Sequence, residues 1–262
     1  MNNVLFHTIL LAYLLASLLF WLALGLQQRW TSRAASALLG GGFCLQSFFL
    51  GYSFYQQSLP WWEGAAPALG LLSWALVAMY IATVWRYRIT ALGAFLIPLA
   101  FMTAAAAGIP VSSAERFPAA AQYLWLSLHI VLALLGYAAL ALTFCTGMMY
   151  VIQERQLKSK RPGTWYHHLP SLTLLDDLNA RALFLGFPLL TQGIITGSVW
   201  AKYVHGSYFQ WSLTSLPLLI AWLMYAVLLG GRQALGWQGA KAARAAIGGF
   251  VIILASYFVH TL

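Results

Sequence analysis

Long apolar segments separated by short polar gaps make up most of this chain and predict membrane-spanning helices. A helix needs about 20 apolar residues to cross a bilayer. Eight segments approach or exceed that length, at about 4–26, 35–55, 68–85, 90–108, 123–152, 182–200, 212–230 and 245–261. The predicted fold class is therefore all-α, a polytopic membrane helix bundle of about eight transmembrane helices. Because no gap is long enough for a separate soluble unit, we expect a single integral-membrane domain over 1–262.

Lysine and arginine fall almost entirely in the odd-numbered gaps between these segments. Twelve of the 14 lie there, namely Arg29, Arg33, Arg86, Arg88, Arg155, Lys158, Lys160, Arg161, Arg181, Arg232, Lys241 and Arg244. Loops on the cytoplasmic side of a membrane protein carry an excess of these residues. The odd gaps are therefore predicted to face the cytoplasm and both termini to face outward, in a bacterial inner (cytoplasmic) membrane.

The composition argues against several other classes of protein. Charged residues are 7% of the chain and hydrophobic residues 61%, whereas charged residues are about 25% of a soluble domain. The net charge of +9 is explained by loops that meet anionic lipid headgroups of the bilayer, so no nucleic-acid partner is expected. The predicted spans carry no Asp or Glu near their centres, where ion-coupled carriers place ionisable groups. Since no hydrolase or Walker motif is present either, we expect a protein that is not an enzyme.

The longest cytoplasmic loop, 153–180, is predicted to contain a short interfacial helix that leads into the sixth span. Ser171 suits the N-cap position, and Leu172, Leu175 and Leu178 recur at every third residue. Two roles are open for this helix. It is either an elbow that reorients the chain or a docking surface for a cytoplasmic partner.

Four of the six histidines gather toward the predicted outer side: His7, His129, His205 and His260. His7 and His260 have an ordinary interpretation as helix-end residues, and His205 as a solvated loop residue. His129 differs, because it lies about two turns inside an apolar segment with no charged neighbour in sequence. A lone imidazole there needs a hydrogen-bond partner or a metal. Imidazole is a normal axial ligand of haem iron.

Aromatic rings that suit a flat, apolar haem are dense in the predicted outer half, above all in the run 200–211. Trp200, Tyr208, Phe209 and Trp211 belong to that run. An interfacial aromatic belt explains part of this enrichment. Lys202, the one cation of the run, either pairs with a haem propionate or extends to the interface.

Several short motifs in the second half carry a resemblance to a known family. They are Leu128-His129-Ile130, Gly136-Tyr137-Ala138-Ala139, Leu169-Pro170-Ser171-Leu172, Leu175-Asp176, Gly186-Phe187-Pro188-Leu189-Leu190-Thr191, the run 193–201, Trp222-Leu223-Met224-Tyr225, Gly236-Trp237-Gln238-Gly239 and Gly249-Phe250. In order and spacing they resemble the cytochrome c assembly superfamily of CcsA-type membrane haem handlers. The nearest likeness is to the smaller HemX-like and YpjD-like members. The resemblance covers roughly 125–258, and the first half shares only the family's apolar character.

The resemblance implies haem as the cofactor. Haem-handling members carry an outer-loop signature of the form W-G-x-Y-W-x-W-D, which corresponds here to 205–212. This chain departs from it at His205 and Phe209, which replace tryptophans, and at Ser212, which replaces the acid. The family places two outward histidines around the signature as axial ligands of the iron. His129 matches the first residue for residue, His260 lies at a topologically suitable place for the second without a close local match, and His205 is a substitute. The predicted haem-binding set is His129, His260, His205, Trp200, Tyr208, Phe209 and Trp211.

Two functions follow from the resemblance. The first is a haem-binding or haem-handling membrane protein of cytochrome c biogenesis or haem supply, working with cytochrome c assembly proteins. The alternative is a HemX-like regulator or scaffold of glutamyl-tRNA reductase, a cytoplasmic haem-synthesis enzyme that would be contacted through 153–180. The altered signature favours a role other than synthase. A small-molecule permease has little support from the charge pattern.

Overall fold

The computed structural model describes residues 2–26, 29–55, 65–108, 120–159, 169–208 and 215–261, and every regular element in these ranges is helical. The elements are α1 (Asn2–Leu26), α2 (Arg29–Tyr55), α3 (Ala65–Tyr87), a 3-10 turn (Thr90–Leu92), α4 (Gly93–Ala106), α5 (Ala120–Lys158), α6 (Leu172–His205), α7 (Ser215–Ala234) and α8 (Gly239–Thr261). The prediction of an all-α fold is confirmed.

Eight α-helices occupy the positions of the eight predicted segments in the described part of the chain. Six of them, α1, α2, α3, α5, α6 and α7, are long and apolar enough to cross a membrane, while α4 with its preceding turn is a shorter apolar helix. The chain is therefore a multi-pass membrane protein. Its helices group into two compact units, α1–α4 and α5–α8. A single domain over 1–262 stays a prediction.

In the first unit, a buried glutamine joins three helices. The Tyr13 hydroxyl of α1 donates to Gln46 Oε1 of α2, and Gln46 Nε2 donates to the Gly70 carbonyl of α3 at 3.0 Å. Tyr13 and Gln46 are both buried. A buried polar group that is satisfied in this way avoids the free-energy penalty of an unpaired donor or acceptor, so the contact specifies how α1, α2 and α3 pack.

In the second unit, α5 and α6 pack closely and antiparallel. A Cβ built on Gly136 of α5 would lie 2.8 Å from the Leu190 nitrogen of α6, and one on Gly193 of α6 would lie 3.1 Å from the Ala133 nitrogen of α5. Residue numbers thus rise along α5 as they fall along α6. Small residues at such contacts let helix backbones approach within a membrane.

The segment before the sixth predicted span continues α6 instead of forming a separate elbow. Ser171 is the N-cap, as predicted, and its Oγ accepts a hydrogen bond from the Leu174 N–H at 3.4 Å. The helix then runs without interruption from Leu172 to His205. The elbow that reorients the chain is therefore wrong as a prediction. Its physical reason is burial, because Leu175 and Leu178 lie inside the unit and hold this turn against its neighbours.

A polar network ties the four helices of the second unit together near the start of α6. Arg232 of α7 donates from Nη2 to Asp176 Oδ1 at 2.8 Å and to Asn179 Oδ1 at 2.9 Å. Asn179 Nδ2 donates to the Thr143 carbonyl of α5 at 2.6 Å, and the Gly239 N–H of α8 donates to Asp176 at 3.1 Å. Asp176 therefore serves the packing of this unit.

Candidate functional site at His129

The imidazole of His129 projects from α5 onto the backbone of α6. Its Nδ1 lies 2.7 Å from the Gly193 carbonyl oxygen. A carbonyl can only accept a hydrogen bond, so Nδ1 carries the proton and the lone pair of the neutral ring is on Nε2. The predicted need of this residue for a partner is thus met by a main-chain atom, and one ring nitrogen is left for a ligand.

Glycine at position 197 creates the space that the ring occupies. A Cβ at Gly197 would lie 2.6 Å from His129 Nδ1 and 2.7 Å from Cε1. Real Cβ atoms do not approach other heavy atoms so closely. The Gly193 carbonyl also accepts a hydrogen bond from Thr196 Oγ1 at 3.0 Å. The ring is therefore held between α5 and α6 by one hydrogen bond and by the absence of a side chain.

The predicted aromatic wall is only partly within the described residues. Trp200 is half-buried and follows Gly197 by three residues, which places it on the same face of α6 about one turn farther on. Tyr208 lies just after α6 and is 62% exposed. Phe209, Trp211 and the side chains of His205 and His260 lie outside the described residues, so their roles stay predictions.

Lys202 contributes to the end of α6. Its Nζ donates to the Gly206 carbonyl at 2.8 Å and lies 5.2 Å from the centre of the Tyr208 ring. Gly206 has a φ of 75° and donates its N–H to the Lys202 carbonyl, the left-handed arrangement that commonly ends a helix. Lys202 thus stabilises this terminus, a role that was not predicted from the sequence.

The donor set around His129 fits a haem iron. Histidines that ligate metals usually donate their second ring N–H to a carboxylate or a backbone carbonyl, which fixes the tautomer and the ring orientation. His129 has that arrangement through Gly193. Among the described residues no three His, Cys, Asp or Glu side chains cluster as they would around a bare metal ion. Haem needs fewer protein ligands, because the porphyrin supplies four nitrogens.

The contribution of α6 to this site was missed from the sequence, although a signal was present. Gly193 and Gly197 have the spacing that permits close contact between membrane helices. The structure shows a close contact at both positions. At Gly197, however, the group that approaches is the imidazole of His129. The imidazole of His129, predicted in a neighbouring helix, was the feature that could have revealed this role of Gly197.

The chain is similar to known proteins of one family. A family described as "Cytochrome C assembly protein" matches residues 62–262, so the likeness begins well before residue 125. The relatives that the chain matches include proteins named "Cytochrome c biogenesis protein CcsA". That of Synechococcus sp. (strain CC9902) is 31% identical, over 77% of this chain and 77% of the relative. That of Microcystis aeruginosa is 30% identical, over 72% and 73%.

The third relative, from Chlamydomonas reinhardtii, is 29% identical over 72% of this chain and 55% of its own length. The closer likeness to HemX-like and YpjD-like members stays a prediction. The family match covers α3 and α4 of the first unit and the whole second unit, including the α5–α6 pair that holds His129. The chain belongs to the cytochrome c assembly protein family.

Proposed function

We propose that this protein binds haem at the outer side of a bacterial cytoplasmic membrane and handles it for cytochrome c biogenesis. The observation that carries the proposal is the hydrogen bond from His129 Nδ1 to the Gly193 carbonyl. It leaves Nε2, the ring nitrogen without a proton, as the proposed iron ligand. The names of the relatives support the pathway. The proposal assigns binding and presentation of haem to this chain, with no bond-making step.

Bound haem would supply the iron porphyrin that a c-type cytochrome carries. His129 would hold the iron, and the Gly193 carbonyl would fix the orientation of the imidazole. The absence of a side chain at Gly197 would leave room for the imidazole. Trp200 would form part of the wall. His260 is the proposed second axial ligand and His205 its substitute, with Tyr208, Phe209 and Trp211 as further contacts. Cytochrome c assembly proteins are the proposed partners.

Replacing His129 with alanine is expected to abolish function in cells. In a strain that lacks the protein, wild type should restore haem covalently attached to c-type cytochromes, and His129→Ala should leave it near background, because the iron ligand is gone. His7→Ala is the matched control. Its Nδ1 also contacts a carbonyl, that of Asn3 in its own helix, at 2.5 Å, and its side chain is exposed. Haem-stained gels, normalised to total haem, provide the readout.

The same strains separate the proposal from the regulatory alternative. If loss of the protein lowers total cellular haem or the amount of glutamyl-tRNA reductase, while attached haem stays a constant share of the total, the regulator is favoured. Full rescue by His129→Ala would also contradict the proposal.

Gly197→Ala is expected to lower the haem affinity by about tenfold. This is the lower end of the range observed when a group that orients a metal ligand is changed. The added methyl would displace the ring and break the Nδ1 hydrogen bond. Titration of the purified protein with haem, followed at the Soret band, measures this. Gly230→Ala in α7 is the matched control, since a Cβ there meets no atom within 4 Å. Equal affinities of the two variants would contradict the proposed role of Gly197.

A further inference from the structure

A groove lies between α5 and α8 at the end of the second unit that carries its basic residues. Its volume is about 300 Å³. The lining combines four apolar side chains with two arginines, and the residues are Met148, Val151, Ile152, Ile247, Arg155 and Arg244. The groove therefore has an apolar floor and two cationic side chains.

The polarity of the groove runs along the membrane normal. α5 approaches its basic end as residue numbers rise, so Arg155 lies about 10 Å nearer that end than Met148. α8 leaves the same end, so Arg244 lies about 4.5 Å nearer it than Ile247. Both arginines are thus at one rim and the apolar side chains are deeper. The positive-inside rule places that rim at the cytoplasmic surface.

The two arginines differ from their basic neighbours in having neither a carboxylate nor an aromatic partner among the described residues. Lys158 pairs with Glu154, Arg181 with Asp177 and Arg232 with Asp176. Lys241, close by on α8, lies 3.6 Å from the centre of the Trp237 ring. Arg155 and Arg244 are exposed and are left to meet an anion from outside the chain.

We propose that this groove binds an anionic phospholipid of the cytoplasmic leaflet. The headgroup phosphate contacts Arg155 and Arg244, and an acyl chain lies along Met148, Val151 and Ile247. Guanidinium groups form strong, paired hydrogen bonds with phosphate, and basic pockets between membrane helices suit anionic headgroups. A zwitterionic headgroup fits less well, since its own cation is repelled by two arginines without carboxylate partners.

The groove is independent of the proposed haem site. His129 and Arg155 are 26 positions apart on α5, which corresponds to about 39 Å along the helix. Failure of either proposal therefore leaves the other standing.

The test uses the full chain in phosphatidylcholine nanodiscs, with and without phosphatidylglycerol, and counts retained phosphatidylglycerol by native mass spectrometry. Arg155→Gln with Arg244→Gln is expected to weaken retention by about tenfold or more, as expected for the loss of charge-assisted hydrogen bonds. Lys158→Gln with Arg181→Gln is the control, because it removes the same charge from the same end of the unit. The control should retain the lipid as wild type does.

Val151→Trp tests the apolar floor without changing the charge and should also lower retention by filling the groove. An equal loss of retained phosphatidylglycerol in the double arginine variant and in the Lys158 and Arg181 control would indicate general attraction to a charged surface. That result would overturn the proposal. Competition by inorganic phosphate as strong as by phosphatidylglycerol would overturn the role of the acyl chain. Unchanged retention of phosphatidylglycerol in Val151→Trp would also overturn the role of the acyl chain.

Discussion

Arg232→Met is expected to destabilise the second unit by up to about 3–5 kcal/mol, the effect of removing one partner from a fully buried ion pair. The Arg232 side chain is 6% exposed and that of Asp176 is 21% exposed. Without the guanidinium, the partly buried carboxylate keeps only the Gly239 N–H as a donor, and Asn179 Oδ1 loses its donor. Reversible unfolding in mixed micelles, followed by helix content, gives the free energy of unfolding.

The adjacent aspartate supplies a matched control. Asp177 pairs with Arg181 at 3.5 Å, and both side chains are more than 60% exposed. Because exposed ion pairs contribute about 0–1 kcal/mol, Arg181→Met should change the stability by no more than that. The two variants remove the same charge and replace it with the same side chain. Similar destabilisation in both would contradict the structural role assigned to Asp176 and Arg232.

Local sequence pattern was sufficient for the helices but not for the contacts between them. Apolar length located each helix because a bilayer imposes that length, and Ser171 marked the start of α6 because its side chain can cap an N-terminus. Asp176 and Arg232 are 56 positions apart, and no local period links them. Their pairing joins the first turns of α6 to α7, whereas the burial of Leu175 and Leu178 makes the expected elbow part of one long helix.

The same limit applies to the site. His129 stood out because an imidazole in an apolar helix must be satisfied. Its partner is the Gly193 carbonyl, and a backbone acceptor carries no sequence signature. The family resemblance pointed to His129 and to a second histidine, His260, whose side chain lies outside the described residues. Lys202 donates to the Gly206 carbonyl, a contact that the sequence did not reveal, and its roles as a propionate partner or an interfacial residue stay predictions.

His129→Gly is expected to lower haem affinity by more than about 100-fold, beyond the range for groups that only orient a ligand. The change removes Nε2 and leaves a space beside Gly193 and Gly197, where the ring lay. Imidazole added to the solution can enter that space and donate to the same carbonyl. Restoration by imidazole would show that the missing group is a ligand, since a purely structural loss is not repaired in this way. His7→Gly, which lies in the first unit, serves as the control.

The most direct test of haem ligation by His129 is the absorption spectrum of ferric and ferrous His129→Gly, recorded with haem and increasing imidazole. We predict weak or absent haem binding without imidazole, and a Soret band that returns to the wild-type position and intensity as imidazole is added. A variant that binds haem with the wild-type spectrum and affinity in the absence of imidazole would contradict the assignment of His129 Nε2 as the iron ligand.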